Sequence, residues 1–510
     1  MLAKIRSFVL SGVSCYEVVI ETDVSSGLHK LNLVGLPDVM IREFKERVGA
    51  AIKNSGFSPP HHFGRITIFL APSYLRKTGS GLDLAIAVSI LEASGQLVGF
   101  KSDKAAYIGE LSLDGGLKAV PGVLPMVIEA RKAGYKKVFI PGDNYFEAKL
   151  VRGIEVICLD SLKEYGDFVQ GKIKKREVVN RGWKIISGLE QNFCLDKIKG
   201  QERAKRALEI AAAGGHNLFL FGPPGAGKTV LARSLTEIMP ELSFFEVMEL
   251  TRIYSAAGLV SRVRPIIKKR PFRAPHHSIT LPALIGGGAR ISPGEITLAH
   301  RGVLFLDEIL EFSRKVLDGL RLPMEDGQIS ISRSRGPAMI FPARFLLAGA
   351  ANPCACGYYG DSSKQCSCSS GDIARYRRKL SGPIMDRIDL WVEVSRVKFD
   401  KLQEKNDPSQ GRIIKDRVNR AAKRQVERFG SKKEGVINNA EMDLGEIERN
   451  CQIDLKSREF LAKAVEAYNL SARAYYGLLK ISRTIADLSG EEKIRKEHLA
   501  EAVQFRAKEF

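Results

Sequence analysis

The 510-residue sequence predicts an α/β protein with an α+β domain over residues 1–170 and a parallel-sheet core over 186–395. A helical domain follows over 396–510, and a basic linker (171–185) joins the first two parts. Three observations predict this. NLFLF (217–221), GVLFL (302–306) and FLLAGA (345–350) are apolar on both faces, as strands of a helix-covered parallel sheet must be. Before residue 170, short alternating stretches interleave with helical ones. After residue 396 the chain is charged and helix-patterned, with no convincing strand. At about 150 residues per domain the length agrees.

Composition limits the function. Hydrophobic residues make up 44% and charged residues 27%, which excludes disorder as the main description. The formal net charge is +21, and it is unevenly spread. Residues 1–170 carry 20 Lys+Arg against 18 Asp+Glu, and the other 340 carry 59 against 40. A polyanion partner is expected, bound mostly by the later two-thirds. The most apolar run, Leu82 to Phe100, is broken by Asp83 and Glu92, so no membrane span is expected. Eight scattered or crowded cysteines are no disulfide framework, and the chain is expected in the cytoplasm.

The elements follow in order. CYEVVIETDV (15–24) and RITIFLAP (65–72) alternate as strands, while DVMIREFKERVGAAIKNSG (38–56) and LDLAIAVSILEASG (82–95) carry helical spacing. GKIKKREVVNRGWK (171–184) is polar and basic. The strand NLFLF then leads into Gly222-Pro223-Pro224-Gly225-Ala226-Gly227-Lys228-Thr229 and a helical segment. This is G-x-x-x-x-G-K-[ST] between a strand and a helix, a phosphate-cradling loop. Lys228 is placed to neutralise β- and γ-phosphates, and Thr229 to ligate Mg²⁺. GVLFL ends in Asp307 and Glu308, one carboxylate for the Mg²⁺ shell and one to deprotonate an attacking water. FLLAGAAN ends at Asn352, whose amide can position that water. Arg387 suits an arginine finger, and Arg473 in the helical domain can reach a γ-phosphate.

Two further groups stand out. Arg262, Arg264, Lys268, Lys269, Arg270 and Arg273 form a dense basic run, and Arg333 and Arg335 follow in ISISRSRGPAM. Such residues contact DNA phosphates without reading sequence. Cys354, Cys356, Cys366 and Cys368 form C-x-C-x₉-C-x-C. Four converging thiols could hold zinc, although both pairs are one residue shorter than the usual C-x₂-C; buried reduced thiols are the rival reading.

RPFRAPHHSIT, PGEITLAHRGVLFLDEILEF, LRLPMEDGQISISR, FPARFLLAGAANPCACGYYG and RYRRKLSGPIMDRIDL together closely resemble the ComM/YifB family. Its members are AAA+ ATPases similar to the magnesium-chelatase ATPase subunit, and the resemblance spans almost the whole chain. It implies an AAA+ core with a helical lid, a homohexameric ring using ATP and Mg²⁺, and branch migration of DNA in natural transformation. Lys228 and Thr229 are then Walker A, Asp307 and Glu308 Walker B, Asn352 sensor 1, Arg387 the finger and Arg473 sensor 2. TGSGLDLAIAVSIL and IGELSLDGGLKAVPGV resemble the fold of Lon protease domains and ribosomal protein S5. The turn holding Ser80 lacks the peptidase serine context, and Lys118 is out of register as a base, so no peptidase activity is expected. The alternative is a chelatase-like or MoxR-like ATPase that remodels a protein client.

Overall fold

A computed structural model describes residues 2–35, 38–73, 77, 81–97, 104–174, 193–288, 291–332, 338–361, 364–380, 382–397, 403, 409–430 and 438–506. Most of the predicted linker and the positions of Ser80, Arg333 and Arg335 lie outside the described residues.

Strands β1 (Leu2–Ser11), β2 (Ser14–Ser25), β3 (Lys30–Val34), β4 (Arg65–Ala71), β5 (Ala105–Tyr107), β6 (Glu110–Leu111), β7 (Leu117–Lys118), β8 (Lys137–Pro141) and β9 (Glu155–Leu159) occupy the first 170 residues. Seven of them form one mixed sheet in the order β3-β4-β2-β1-β5-β8-β9. Against it lies the helix Asp83–Ala93, every residue of which except Glu92 is buried. Its composition is apolar all round because it is enclosed on all sides; each large aliphatic side chain there contributes about 1.5–3 kcal/mol. Asp83 enters this core only with a partner: Arg47 Nε donates to its Oδ2 at 2.6 Å and Leu111 N at 3.1 Å. Burial nevertheless pushes the Asp83 carboxyl up to about 6.

The later strands are β10 (Leu218–Phe221), β11 (Phe272–Arg273), β12 (Gly286–Gly287), β13 (Ser292–Pro293), β14 (Val303–Leu306), β15 (Gln328–Ile331), β16 (Met339–Pro342), β17 (Leu346–Ala351) and β18 (Leu390–Glu393). Five of them form an all-parallel sheet in the order β11-β14-β17-β10-β18. β14 and β17 are buried along their whole length, as their continuous apolar sequence requires. β15 and β16 pair antiparallel, and Ile329 and Phe341 on them are buried in the apolar cluster that also holds Leu304 and Leu347.

Beyond residue 409 the described residues are helical: Gln410–Phe429, Leu444–Asn450, Leu455–Ala467, Ala472–Ser489 and Lys496–Gln504. They share one apolar cluster with the helix Glu202–Gly214, whose Ala211, Ala212 and Ala213 allow close approach. Polar ties lock this seam. His216 Nε2 meets Thr484 Oγ1 at 2.8 Å, and Gln425 Nε2 donates to Ala213 O at 2.9 Å.

Among the described residues the N-terminal domain meets the core at several places, two of them close. Gly122 N donates to Ser255 O at 2.9 Å, and Ser255 Oγ to Glu147 Oε2 at 2.5 Å, where the helix Val123–Lys132 meets the helix Phe244–Ala256. At the other place the β1–β2 turn touches the base of the β15–β16 hairpin. Gly12 has φ +64°, and a Cβ there would sit 2.9 Å from Phe341 Cζ, so both the backbone and the space call for glycine.

Candidate active site

The sheet has two edges, and chemistry gathers at both. At the carboxyl edge, β10 runs into residues 222–229, with φ of +77° at Gly225 and +89° at Gly227. These positive φ values, in a loop where glycine lacks a Cβ penalty, turn the backbone before the helix Lys228–Ile238. Gly222 packs so closely that a Cβ would lie 2.0 Å from Val394 O, fixing the loop against the chain after β18. Lys228 is buried, and desolvation holds its ammonium below the usual lysine range. Its Nζ donates to Gly222 O at 2.7 Å, Pro223 O at 3.0 Å and Asn352 Oδ1 at 3.1 Å. A loop that satisfies its own lysine this way offers ATP a ready exchange of carbonyls for phosphate oxygens.

β14 and β17 deliver the remaining groups. Thr229 Oγ1 donates to Asp307 Oδ2 at 2.8 Å, so the two expected Mg²⁺ ligands already face each other. Glu308 follows with φ +50°, a left-handed backbone that costs a non-glycine residue on the order of 1 kcal/mol. Glu308 N donates to Asp307 Oδ1 at 3.0 Å. Thr229, Asp307 and Lys228 fit a magnesium-bound triphosphate: an oxygen pair for the hard cation and one desolvated ammonium for the phosphates.

Arg387 and Arg473 lie elsewhere. Both pair with Glu325 on the helix Arg321–Asp326, at 2.5 Å and 2.7 Å. They line a cleft of about 1010 Å³ together with Asn217, Gly302, Leu346 and Asp389. These four residues precede or open β10, β14, β17 and β18, so the cleft sits at the amino edge of the parallel sheet. A four-residue strand spans about 13 Å. The two arginines are therefore separated from their own phosphate loop by the sheet itself. Arg473 is not poised over the phosphate loop of its own chain, the simplest reading of a lid arginine. The Arg387 side chain is only 8% exposed, and its Nε has no hydrogen-bond partner, a costly state for a buried guanidinium and one common at functional sites.

Two residues at this edge escape sequence reasoning. Glu325 looks like an ordinary exposed acid in MEDG. Asn217 looks like the first residue of a strand, yet it ties three strand starts together. Its Nδ2 donates to Arg387 O, its N to Asp389 Oδ2, and its Oδ1 accepts from Leu347 N. Burial favours the protonated Asp389, but the His216 contact and the Asn217 amide outweigh it and hold Asp389 below the usual carboxylate range.

The basic run divides. Arg262, Arg264, Lys268 and Lys269 are exposed, with Arg262 within 3.4 Å of Asp143. Arg270 is corrected from its predicted role in DNA contact. Its guanidinium is consumed internally, donating to Pro240 O, Glu246 Oε1 and Arg301 O at 2.6, 3.0 and 2.7 Å. Among the cysteines, the four Sγ atoms of Cys354, Cys356, Cys366 and Cys368 lie within 4.8 Å of one another.

A phosphate loop, a paired-carboxylate strand end and a sensor asparagine on a β11-β14-β17-β10-β18 sheet with a helical lid define an AAA+ ATPase. Family models agree: magnesium chelatase subunit ChlI matches residues 194–402, its C-terminal part 409–506, and subunit ChlI of Mg-chelatase 20–144. Competence protein ComM of Haemophilus influenzae is 42% identical over 515 residues, covering 99% of this chain and 97% of that protein. YifB of Escherichia coli is 41% identical over 512 residues, with the same coverage. A magnesium-chelatase 67 kDa subunit of Heliobacterium mobile is 28% identical over 256 residues, 44% of this chain and 38% of that protein. The chain belongs to the ComM/YifB family of magnesium-chelatase-like AAA+ ATPases. No helix among the described residues is long and apolar enough to cross a membrane.

Proposed function

We propose that this chain is the subunit of a cytoplasmic homohexameric ring that hydrolyses ATP to move along DNA, driving branch migration in recombination or transformation. The observation that carries the reading is the division of the site between the two edges of one sheet. A subunit whose phosphate loop and arginines face opposite ways is complete only when a second copy brings its amino edge to the first copy's carboxyl edge. Repetition of that contact closes a ring.

The chemistry then follows from the residues. Lys228 gives up the carbonyls of Gly222 and Pro223 and turns to the phosphates. Thr229 and Asp307 hold magnesium, which supplies charge neutralisation to the phosphates. Glu308 accepts the proton of the attacking water, and Asn352 orients that water. Arg387 and Arg473 of the neighbouring subunit offset charge growing on the γ-phosphate. The 42% identity to a protein named for competence supports the DNA reading, as does the basic surplus after residue 170.

DNA affinity measured across a salt series, on linear and four-way substrates, tests the reading. Affinity should fall steeply with salt and show little sequence preference, and branched DNA should stimulate turnover. Replacing Arg264, Lys268 and Lys269 with Ala should flatten the salt slope while leaving ATP binding intact. A salt-insensitive interaction, or none by the assembled ATP-bound ring, overturns the DNA motor in favour of a protein-remodelling ATPase.

A further inference from the structure

We propose that Cys354, Cys356, Cys366 and Cys368 hold one zinc ion, and that the metal-bound loop braces Asn352 and the phosphate loop, so that ATP turnover depends on the metal. The inference uses only the ATP site and stands or falls apart from the DNA reading.

The thiols are arranged as ligands rather than as core. Cys354 and Cys356 Sγ are 3.3 Å apart, Cys354 and Cys366 3.6 Å, and Cys356 and Cys366 3.5 Å. A tetrahedron with Zn–S bonds of about 2.3 Å has edges of about 3.8 Å, so small shifts seat the ion. Cys354 is buried yet belongs to none of the four apolar clusters, and the other three are half-exposed. Reduced cysteines serving as small hydrophobes would sit among aliphatic side chains, as Cys451 and Cys158 do. Backbone amides also point at the sulfurs: Tyr359 N lies 3.4 Å from Cys354 Sγ and Cys368 N 3.4 Å from Cys366 Sγ. Such N–H donors stabilise thiolates and orient ligands around a metal. The short C-x-C spacing is no obstacle once two pairs converge from opposite ends of one loop. Four sulfurs in this geometry favour zinc, a cation with no preference of its own beyond tetrahedral packing.

The loop is built into the ATP site. Asn352, the acceptor for Lys228 Nζ, stands two residues before Cys354. Gly357, one residue after Cys356, has φ +86°, and a Cβ there would lie 3.0 Å from Pro224 Cδ and 3.9 Å from Asn352 Cγ. Arg377 pins the same stretch, donating to Pro353 O at 3.3 Å and lying 5.1 Å from the Tyr359 ring centre. A metal that ties the two C-x-C pairs fixes Gly357 against the phosphate loop. Without it, that wall is held only by weaker contacts.

The test is metal content and ATP turnover on the full chain. Purified protein should contain one zinc per chain, released when a mercurial blocks the thiols and read with a chromogenic chelator. Cobalt exchanged into the site should give the spectrum of a tetrahedral thiolate complex. Stripped protein should lose at least tenfold in ATPase rate and regain it with added zinc. Cys356→Ser should lose the metal and the activity, and Cys356→His, which keeps a ligand, should retain both in large part. Zinc below one ion per ten chains in protein never exposed to chelator, iron in its place, or equal turnover by loaded and stripped protein each overturns the proposal. If the serine variant fails to fold, the mercurial titration of the wild type and the histidine variant still decide it. Neither readout requires DNA, so a zinc-dependent ATPase indifferent to DNA would sink the proposed motor and leave this inference standing.

Discussion

The carboxyl and amino edges of the core sheet carry the same kind of chemistry in opposite states. At the carboxyl edge the lysine and the threonine are paired close to their strands: Lys228 to Gly222, Pro223 and Asn352, and Thr229 to Asp307. At the amino edge Arg387 and Arg473 converge on one carboxylate from far-apart parts of the chain, beside a cleft of about 1010 Å³. The first edge is a closed cradle that opens to admit its ligand. The second is an open clamp whose two arginines grip Glu325 of their own chain beside the cleft. The difference teaches that one chain carries two unlike groups of residues on opposite edges of one sheet, and the proposed ring would join them across the contact between chains.

The largest effect that probes this comparison is at Glu308. Glu308→Gln keeps the phosphate loop and Asp307, so ATP binding should persist, while turnover should fall by about a hundredfold or more because no carboxylate prepares the water. Nucleotide affinity measured beside steady-state ATPase separates the two. Near wild-type turnover would show that the carboxyl edge is not the hydrolytic edge.

The amino edge is broken next. Arg387→Ala should abolish turnover to a similar degree and leave each subunit's ATP affinity nearly unchanged, since the side chain lies across the sheet from its own phosphate loop. Lys228→Ala should do the reverse and lose binding. Mixed rings of the two variants should recover part of the activity, because some interfaces join an intact loop to an intact arginine. Absence of recovery at every mixing ratio would place Arg387 in its own subunit's chemistry, or in structure alone.

The two edges also differ in how far the sequence reveals them. Residues 222–229 are contiguous and their glycines announce a backbone that wraps phosphate, so the loop is legible without a fold. Asp307 and Glu308 are legible because an apolar strand pattern ends on them. The parallel sheet is legible for the same reason: β14 and β17 are buried on both faces and so lack polar alternation. The Glu325 clamp is not legible, because its arginines lie 62 and 148 residues away and no local pattern links them. Arg270 misleads for a related reason. In sequence it belongs to a basic run, but folding brings Glu246 and the Arg301 carbonyl to it and spends its charge. The cysteines mislead in the other direction. Their spacing falls short of the usual knuckle, while the loop's return brings all four sulfurs together.

The smallest effect sharpens the amino edge rather than breaking it. Glu325 is exposed enough that each of its two ion pairs contributes no more than about 1 kcal/mol, and the carboxyl is held below the usual range by hydrogen bonds from Arg473 and then Arg387. The carboxylate therefore stays ionised throughout neutral pH and should act as a positioning residue, presenting two long cations at one point so that a neighbour's γ-phosphate meets both together. Glu325→Gln keeps the size and removes the charge. Two lost pairs at that strength correspond to a fall in kcat of at most about thirtyfold, with the KM for ATP little changed because the nucleotide binds at the other edge. Glu325→Asp, shorter but charged, should recover part of the loss, which a purely steric role would not allow. Steady-state kinetics of the three proteins, assembled at the same subunit concentration, give the answer. A faster Glu325→Gln enzyme would mean that the carboxylate restrains the arginines instead of presenting them, and a raised KM with unchanged kcat would return the clamp to the nucleotide pocket of its own chain.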